Sequence, residues 1–123
     1  MMITSNIAFY PCINLIDTDD FYAGLIGLEM VFSDESSRIY STGRGYFGFV
    51  QYPDRQAASG HLCLSLNCPD RDAVDAQYRR ILDAGGQPEG QPKCHPGHPV
   101  YSFFLKDPNG YLVEFQKIDG IQL

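Results

Sequence analysis

The chain has 123 residues, of which 44% are hydrophobic and 20% charged, and carries a formal net charge of -6. That length suits one domain with a proper core, and the composition is that of an ordinary globular protein. The acidic balance argues against nucleic acid or an anionic membrane surface as partner, and no apolar run approaches the ~20 residues of a membrane span. The opening MMITSNIAF has no basic stretch and no long apolar core, so no signal peptide is read and the expected compartment is the cytoplasm. The cysteines Cys12, Cys63, Cys68 and Cys94 form neither a CxxC pair nor a zinc-ribbon spacing. They are expected to be free and mostly buried.

Residues 7–15 alternate as a strand. Asp17, Thr18, Asp19 and Asp20 then offer an N-cap and an acidic first turn. Phe21, Leu25 and Ile26 form the apolar stripe of a short helix that Gly27 can end. Residues 28–32, 38–41 and 46–52 read as three further strands. After a linker at 53–59, residues 60–67 (GHLCLSLN) alternate cleanly. Asp70 caps a second helix whose Val74, Tyr78, Ile81 and Leu82 share one face, and Gly85-Gly86 closes it. A Pro/Gly-rich loop over 87–99, with room for one weak strand, leads into a hairpin of residues 100–105 and 111–117. Asp107-Pro108-Asn109-Gly110 suits the turn of that hairpin.

The order βαβββ occurs twice, so the expected fold is α+β: two βαβββ modules, 1–52 and 60–123, in a single domain 1–123. The last strands of the modules, YFGFVQ and YLVEFQ, support an internal repeat. Strand period two then sorts the side chains. Leu62, Leu64 and Leu66 share a face, and His61, Cys63, Ser65 and Asn67 share the other. Tyr10, Cys12 and Asn14 of the first strand, Phe47, Phe49 and Gln51 of the fourth, and Leu112, Glu114 and Gln116 of the last are assigned to the same mixed face. It is too apolar for a plain wet surface, so it is read as the lining of a pocket. Glu114 is its most informative member, because a carboxylate inside an apolar strand is costly unless paired, solvated or metal-bound.

FYAGLIGLEMVFSD, GHLCLSLN with the PDRDAV helix start, and SFFLKDPNGYLVEF together resemble the vicinal oxygen chelate superfamily. Its members include glyoxalase I, extradiol dioxygenases and bleomycin-resistance proteins. The resemblance implies a curled mixed sheet with a concave cleft, usually in a homodimer. It also implies metal ligands on the first and last strands of each module. By position, His61 and Glu114 match such ligands, whereas the internal repeat puts Tyr10 opposite His61 and Phe49 opposite Glu114, and neither is a usual ligand. Gln51, His95 and His98 are the remaining donors that a metal would draw on.

Two functional readings stand. In the first, the cleft binds a small molecule without catalysis, lined by Tyr10, Phe47, Phe49, Gln51, His61, Cys63 and Leu112, with Glu114 as counter-charge and no metal cofactor. In the second, His61 and Glu114 hold one divalent metal (Zn, Ni, Mn or Fe) that chelates substrate oxygens in a lyase, isomerase or dioxygenase. Glu114 or a bound water then moves the proton. The Cys94–Pro99 segment is read as a cleft-side loop or lid rather than a structural zinc site. Cys63 is expected to be an inert thiol, and Arg38, Arg44 and Arg55 are expected to be surface charges.

Overall fold

Asn14 decides where the first strand stops. Its side-chain oxygen accepts from the Asp17 amide at 3.0 Å and its carbonyl accepts from Thr18 Oγ1 at 2.8 Å. The cap therefore falls three residues earlier than expected from the acidic run, and the chain turns helical at Leu15. In the computed structural model, which describes all residues from Met1 to Leu123, the elements of the first half are β1 (Ile7–Pro11), α1 (Leu15–Asp19), β2 (Glu29–Ser33), β3 (Ser37–Ser41) and β4 (Tyr46–Val50). α1 continues as a wider π-helical stretch over Asp20–Leu25, in which the Ile26 amide donates to the Phe21 carbonyl. Gly27 ends it with φ at 87°, a backbone that only glycine adopts without steric cost.

The second half contains β5 (Cys63–Asn67), α2 (Arg71–Asp83), β6 (Lys93–Cys94), β7 (Val100–Lys106) and β8 (Leu112–Ile118). Asp70 caps α2 as expected, its Oδ1 accepting from the Ala73 amide at 2.8 Å. β6 is the weak strand anticipated in the Pro/Gly-rich loop. In the DPNG turn the Asp107 amide donates to the Tyr111 carbonyl while Asp107 Oδ1 accepts from the Tyr111 amide. Only Gly110 there takes a positive φ, at 85°.

Each half is a βαβββ module with a four-stranded mixed sheet, in the orders β1-β4-β3-β2 and β5-β8-β7-β6. In each module the first and last strands run parallel and the rest antiparallel, as the expected fold class requires. The chain divides into two units, Met1–Gly60 with Pro108–Gly110, and His61–Asp107 with Tyr111–Leu123.

In the first unit the helix-covered face of the sheet is aromatic. Tyr22 and Tyr40 enclose Phe49, with ring centroids 4.5 Å (Tyr22) and 6.0 Å (Tyr40) from it. All three are fully buried. Tyr40 donates its hydroxyl to Asp19, which also pairs with Arg38 at 3.1 Å. Arg38 is thus tied down rather than free at the surface. In the second unit Leu64, Phe103, Leu105, Val113 and Phe115 are buried on one face of the sheet. α2 supplies Val74 and Ile81 to this core. The Phe103 ring stacks on Phe115 at 5.2 Å and meets the edge of Tyr78 at 5.3 Å.

Candidate functional site on the second sheet

The DPNG turn fixes the register of the last hairpin and thereby the surroundings of Glu114. Counting back through the turn sets Phe104 of β7 opposite Glu114, while on its other side β5 sets Ser65 opposite it. These residues share the face of the second sheet turned away from the α2-packed core, together with Cys63, Ser102, Leu112 and Gln116.

Glu114 is only 8% exposed. One carboxylate oxygen, Oε1, accepts from Ser65 Oγ at 2.6 Å and from the Cys63 thiol at 3.8 Å. The other, Oε2, accepts nothing from the protein, yet no buried side-chain oxygen is left without a partner and out of reach of solvent. Oε2 therefore keeps contact with solvent, and Glu114 contributes to the lining of a cavity. This cavity, of about 260 Å³, is walled by His95, His98, Val100, Phe104, Glu114 and Gln116. No arginine or lysine pairs with Glu114; the ion pairs of the structure are Arg38–Asp19 and Arg71–Asp119. A carboxylate withdrawn this far from water, with only neutral donors on one oxygen, leaves a favourable position for a cation.

The surrounding side chains make contacts of their own. His95 Nε2 lies 2.6 Å from Ser102 Oγ, and its ring meets Phe104 edge-on at 5.5 Å. Gln116 donates its side-chain amide to Asn67 at 3.0 Å. Burial, with the Glu114 charge in a lesser role, pushes the Cys63 thiol above its ordinary range, and the Ser65 hydrogen bond only partly offsets this. A neutral thiol suits the inert role expected of Cys63. The expectation of mostly buried cysteines fails in part: Cys94 is exposed, Cys63 is exposed as a whole residue although its thiol is partly desolvated beside Ser65 and Glu114, and Cys12 is buried.

The structure brings only some of the expected site residues together. Cys63 and Glu114 meet. Leu112 shares their face, next to Cys63 in the ladder, but does not line the cavity. His61 is exposed and precedes β5. Ser65 rather than His61 sits opposite Glu114. Three expected residues belong elsewhere: Phe49 is fully buried beneath Tyr22, and Tyr10 and Phe47 make ring contacts on the same helix-covered side. The opposite face of the first sheet carries Ile7, Phe9 and Phe32 instead. There the Phe9 ring lies over Gly48 so closely that an added Cβ would come within 2.5 Å of it. Gln51 is occupied too, accepting from the Leu15 amide at 3.0 Å. Ser65 and Gln116 lie on the mixed face that alternation assigns to the pocket, whereas Phe104 is missed by that reading, and hairpin counting from the DPNG turn supplies the signal for it.

A catalytic zinc commonly has three protein ligands and a water. Nowhere in the structure do three His, Cys, Asp or Glu side chains converge, and Glu114 already accepts from Ser65 and Cys63 through one oxygen. The donors present around His61 and Glu114 do not complete a site for a divalent cofactor.

Residues 12–115 match the family described as the glyoxalase/bleomycin resistance protein/dioxygenase superfamily. The chain belongs to that superfamily. Solved structures agree on the fold. A lactoylglutathione lyase from Agrobacterium tumefaciens is 21% identical, with 97% of this chain and 96% of that one covered at a TM-score of 0.78. A glyoxalase/bleomycin resistance protein/dioxygenase from Nocardioides is 12% identical over 100% and 90% of the two chains, at 0.76. One from Alicyclobacillus acidocaldarius is 18% identical over 92% and 89%, also at 0.76. At these identities the likeness is one of fold. No curated protein matches the sequence. No helix is long and apolar enough to cross a membrane.

Proposed function

We propose that this superfamily member binds a small, flat organic cation on its second sheet, with Glu114 as the anchoring charge. The observation that supports this most is the open oxygen of Glu114: a nearly buried carboxylate with no cationic partner, in the lining of a cavity. Phe104 supplies an aromatic wall for stacking and cation–π contact. Gln116 and the two imidazoles supply directional polar contacts. An amidinium suits the carboxylate best, because its parallel N–H groups match carboxylate geometry.

Ser65 orients Glu114, and the exclusion of water around the carboxylate strengthens its attraction for a cation. We also propose that the protein is a homodimer, supported by the exposed apolar residues of the first sheet: Phe9 is 55% and Phe32 49% exposed. The cation reading is tested by thermal melting with benzamidine as probe. Binding to the folded state alone raises stability by about 2.7 kcal/mol at a hundredfold excess over Kd, which shifts the melting midpoint upward by several degrees. Benzoate, of the same shape and opposite charge, is expected to leave it unmoved. Equal responses to the two, or no response to benzamidine, reject the reading.

A further inference from the structure

The Glu114 cavity has a neighbour in the same unit. This second cavity, of about 290 Å³, includes Gln91, Lys93, Pro96 and Ser102 in its lining. The two share His95 and Phe104 as walls. Small-molecule pockets usually enclose about 300–1,000 Å³, so each compartment alone falls short of that range while the two joined lie within it.

Between the shared walls, Phe104 is fixed by its place in β7 opposite Glu114. His95 is fixed only in its backbone: its amide donates to the Val100 carbonyl at 3.1 Å and its carbonyl accepts from the His98 amide at 3.2 Å. Its imidazole is held by one hydrogen bond, to the fully buried Ser102, and by the edge contact with Phe104. We propose that His95 is a gate that sets ligand length. Pinned to Ser102, it confines the ligand to a compact head over Glu114. Swung away, it joins the two compartments and admits a tail that runs past Lys93. The ligand class is then a cationic head with a polar tail rather than a compact cation. Ser102 acts as a positioning residue for the gate. Releasing this hydrogen bond costs about a tenfold population shift, which leaves the gate closed at rest yet within reach of binding energy.

This inference rests on the reading of the Glu114 cavity as a binding site, and one experiment separates the two. Wild type, S102A and H95A are titrated with benzamidine and with benzamidines bearing a short or a long hydroxyalkoxy chain at the para position. Amide and side-chain NMR shifts of Glu114 and Gln116 report occupancy. The gate predicts that S102A improves the affinity for the long-chain probe relative to benzamidine by about tenfold, and that H95A improves the same ratio at least as much. Carbethoxylation of His95, read by mass spectrometry, is expected to be several-fold faster in S102A than in wild type. Benzamidine binding with an unchanged chain-length ratio in both variants overturns the gate and leaves the cation site standing. Failure of benzamidine to shift Glu114 and Gln116 in wild type overturns both.

Discussion

Cys63 and Glu114 test each other at the scale of single residues. The thiol is pushed up first by burial and then by the neighbouring carboxylate, so at pH 8 it holds less thiolate than an unperturbed cysteine with pKa near 8.5. Iodoacetamide is therefore expected to alkylate Cys63 several-fold more slowly than a cysteine in a short peptide. The sign of the Glu114 contribution gives a sharper check. Removing the charge in Glu114→Gln lowers the thiol pKa, so the variant is expected to react faster at Cys63 when the modified peptides are followed by mass spectrometry. Slower or equal alkylation in the variant would show that the carboxylate does not act on this thiol. Asn14 makes a separate residue-scale prediction. Asn14→Ala removes the cap on Asp17 and is expected to cost about 1 kcal/mol, read as a lower urea midpoint with an unchanged slope. An unchanged midpoint would mean that the helix start is set by something other than its cap.

The scale of strands and helices shows how far the sequence could be read. The αβ order, the Asp70 cap, the DPNG hairpin and the mixed face of β5 and β8 all followed from alternation and turn chemistry. In the second module Leu64, Val113 and Phe115 are apolar where Ser65 and Glu114 are polar, so the two faces announce themselves. The first module gave no such contrast. From Tyr46 to Val50 both phases of the strand are aromatic, apolar or glycine, with the polar Gln51 just past its end, and aligning YFGFVQ with YLVEFQ puts Phe49 where Glu114 lies. A one-residue slip turns every side chain to the other face of a sheet, so alternation alone puts Tyr10, Phe47 and Phe49 in a pocket although they pack under the helix. The true opposite face has Gly48 beneath the Phe9 ring, and a glycine in a strand marks such a close approach. Gly48→Ala is expected to push the Phe9 ring aside and cost about 1 kcal/mol, with the displacement visible as changed ring shifts around Ile7 and Ile39. The convergence of His95 and Ser102 was not legible at all, because it depends on how a proline-rich loop closes onto β7.

The whole molecule sets a nearly buried carboxylate without a cationic partner into a superfamily fold. The exposed Phe9 and Phe32 belong to a face that water does not favour. A homodimer through it is expected to sediment at twice the 13.8 kDa of the chain at micromolar concentration, and Phe9→Asp is expected to shift the species to monomer. A wild-type monomer at high concentration would remove the dimer and leave the cation site untouched. Calorimetric titration of benzamidine into wild type and into Glu114→Gln, with melting curves to show that both are folded, reads the contribution of the Glu114 charge to binding. Glutamine keeps the shape and removes the charge, so binding is expected to weaken by about ten- to a hundredfold, the worth of a charge-assisted hydrogen bond. Equal affinity in the two folded proteins would mean that the Glu114 charge does not hold the cation.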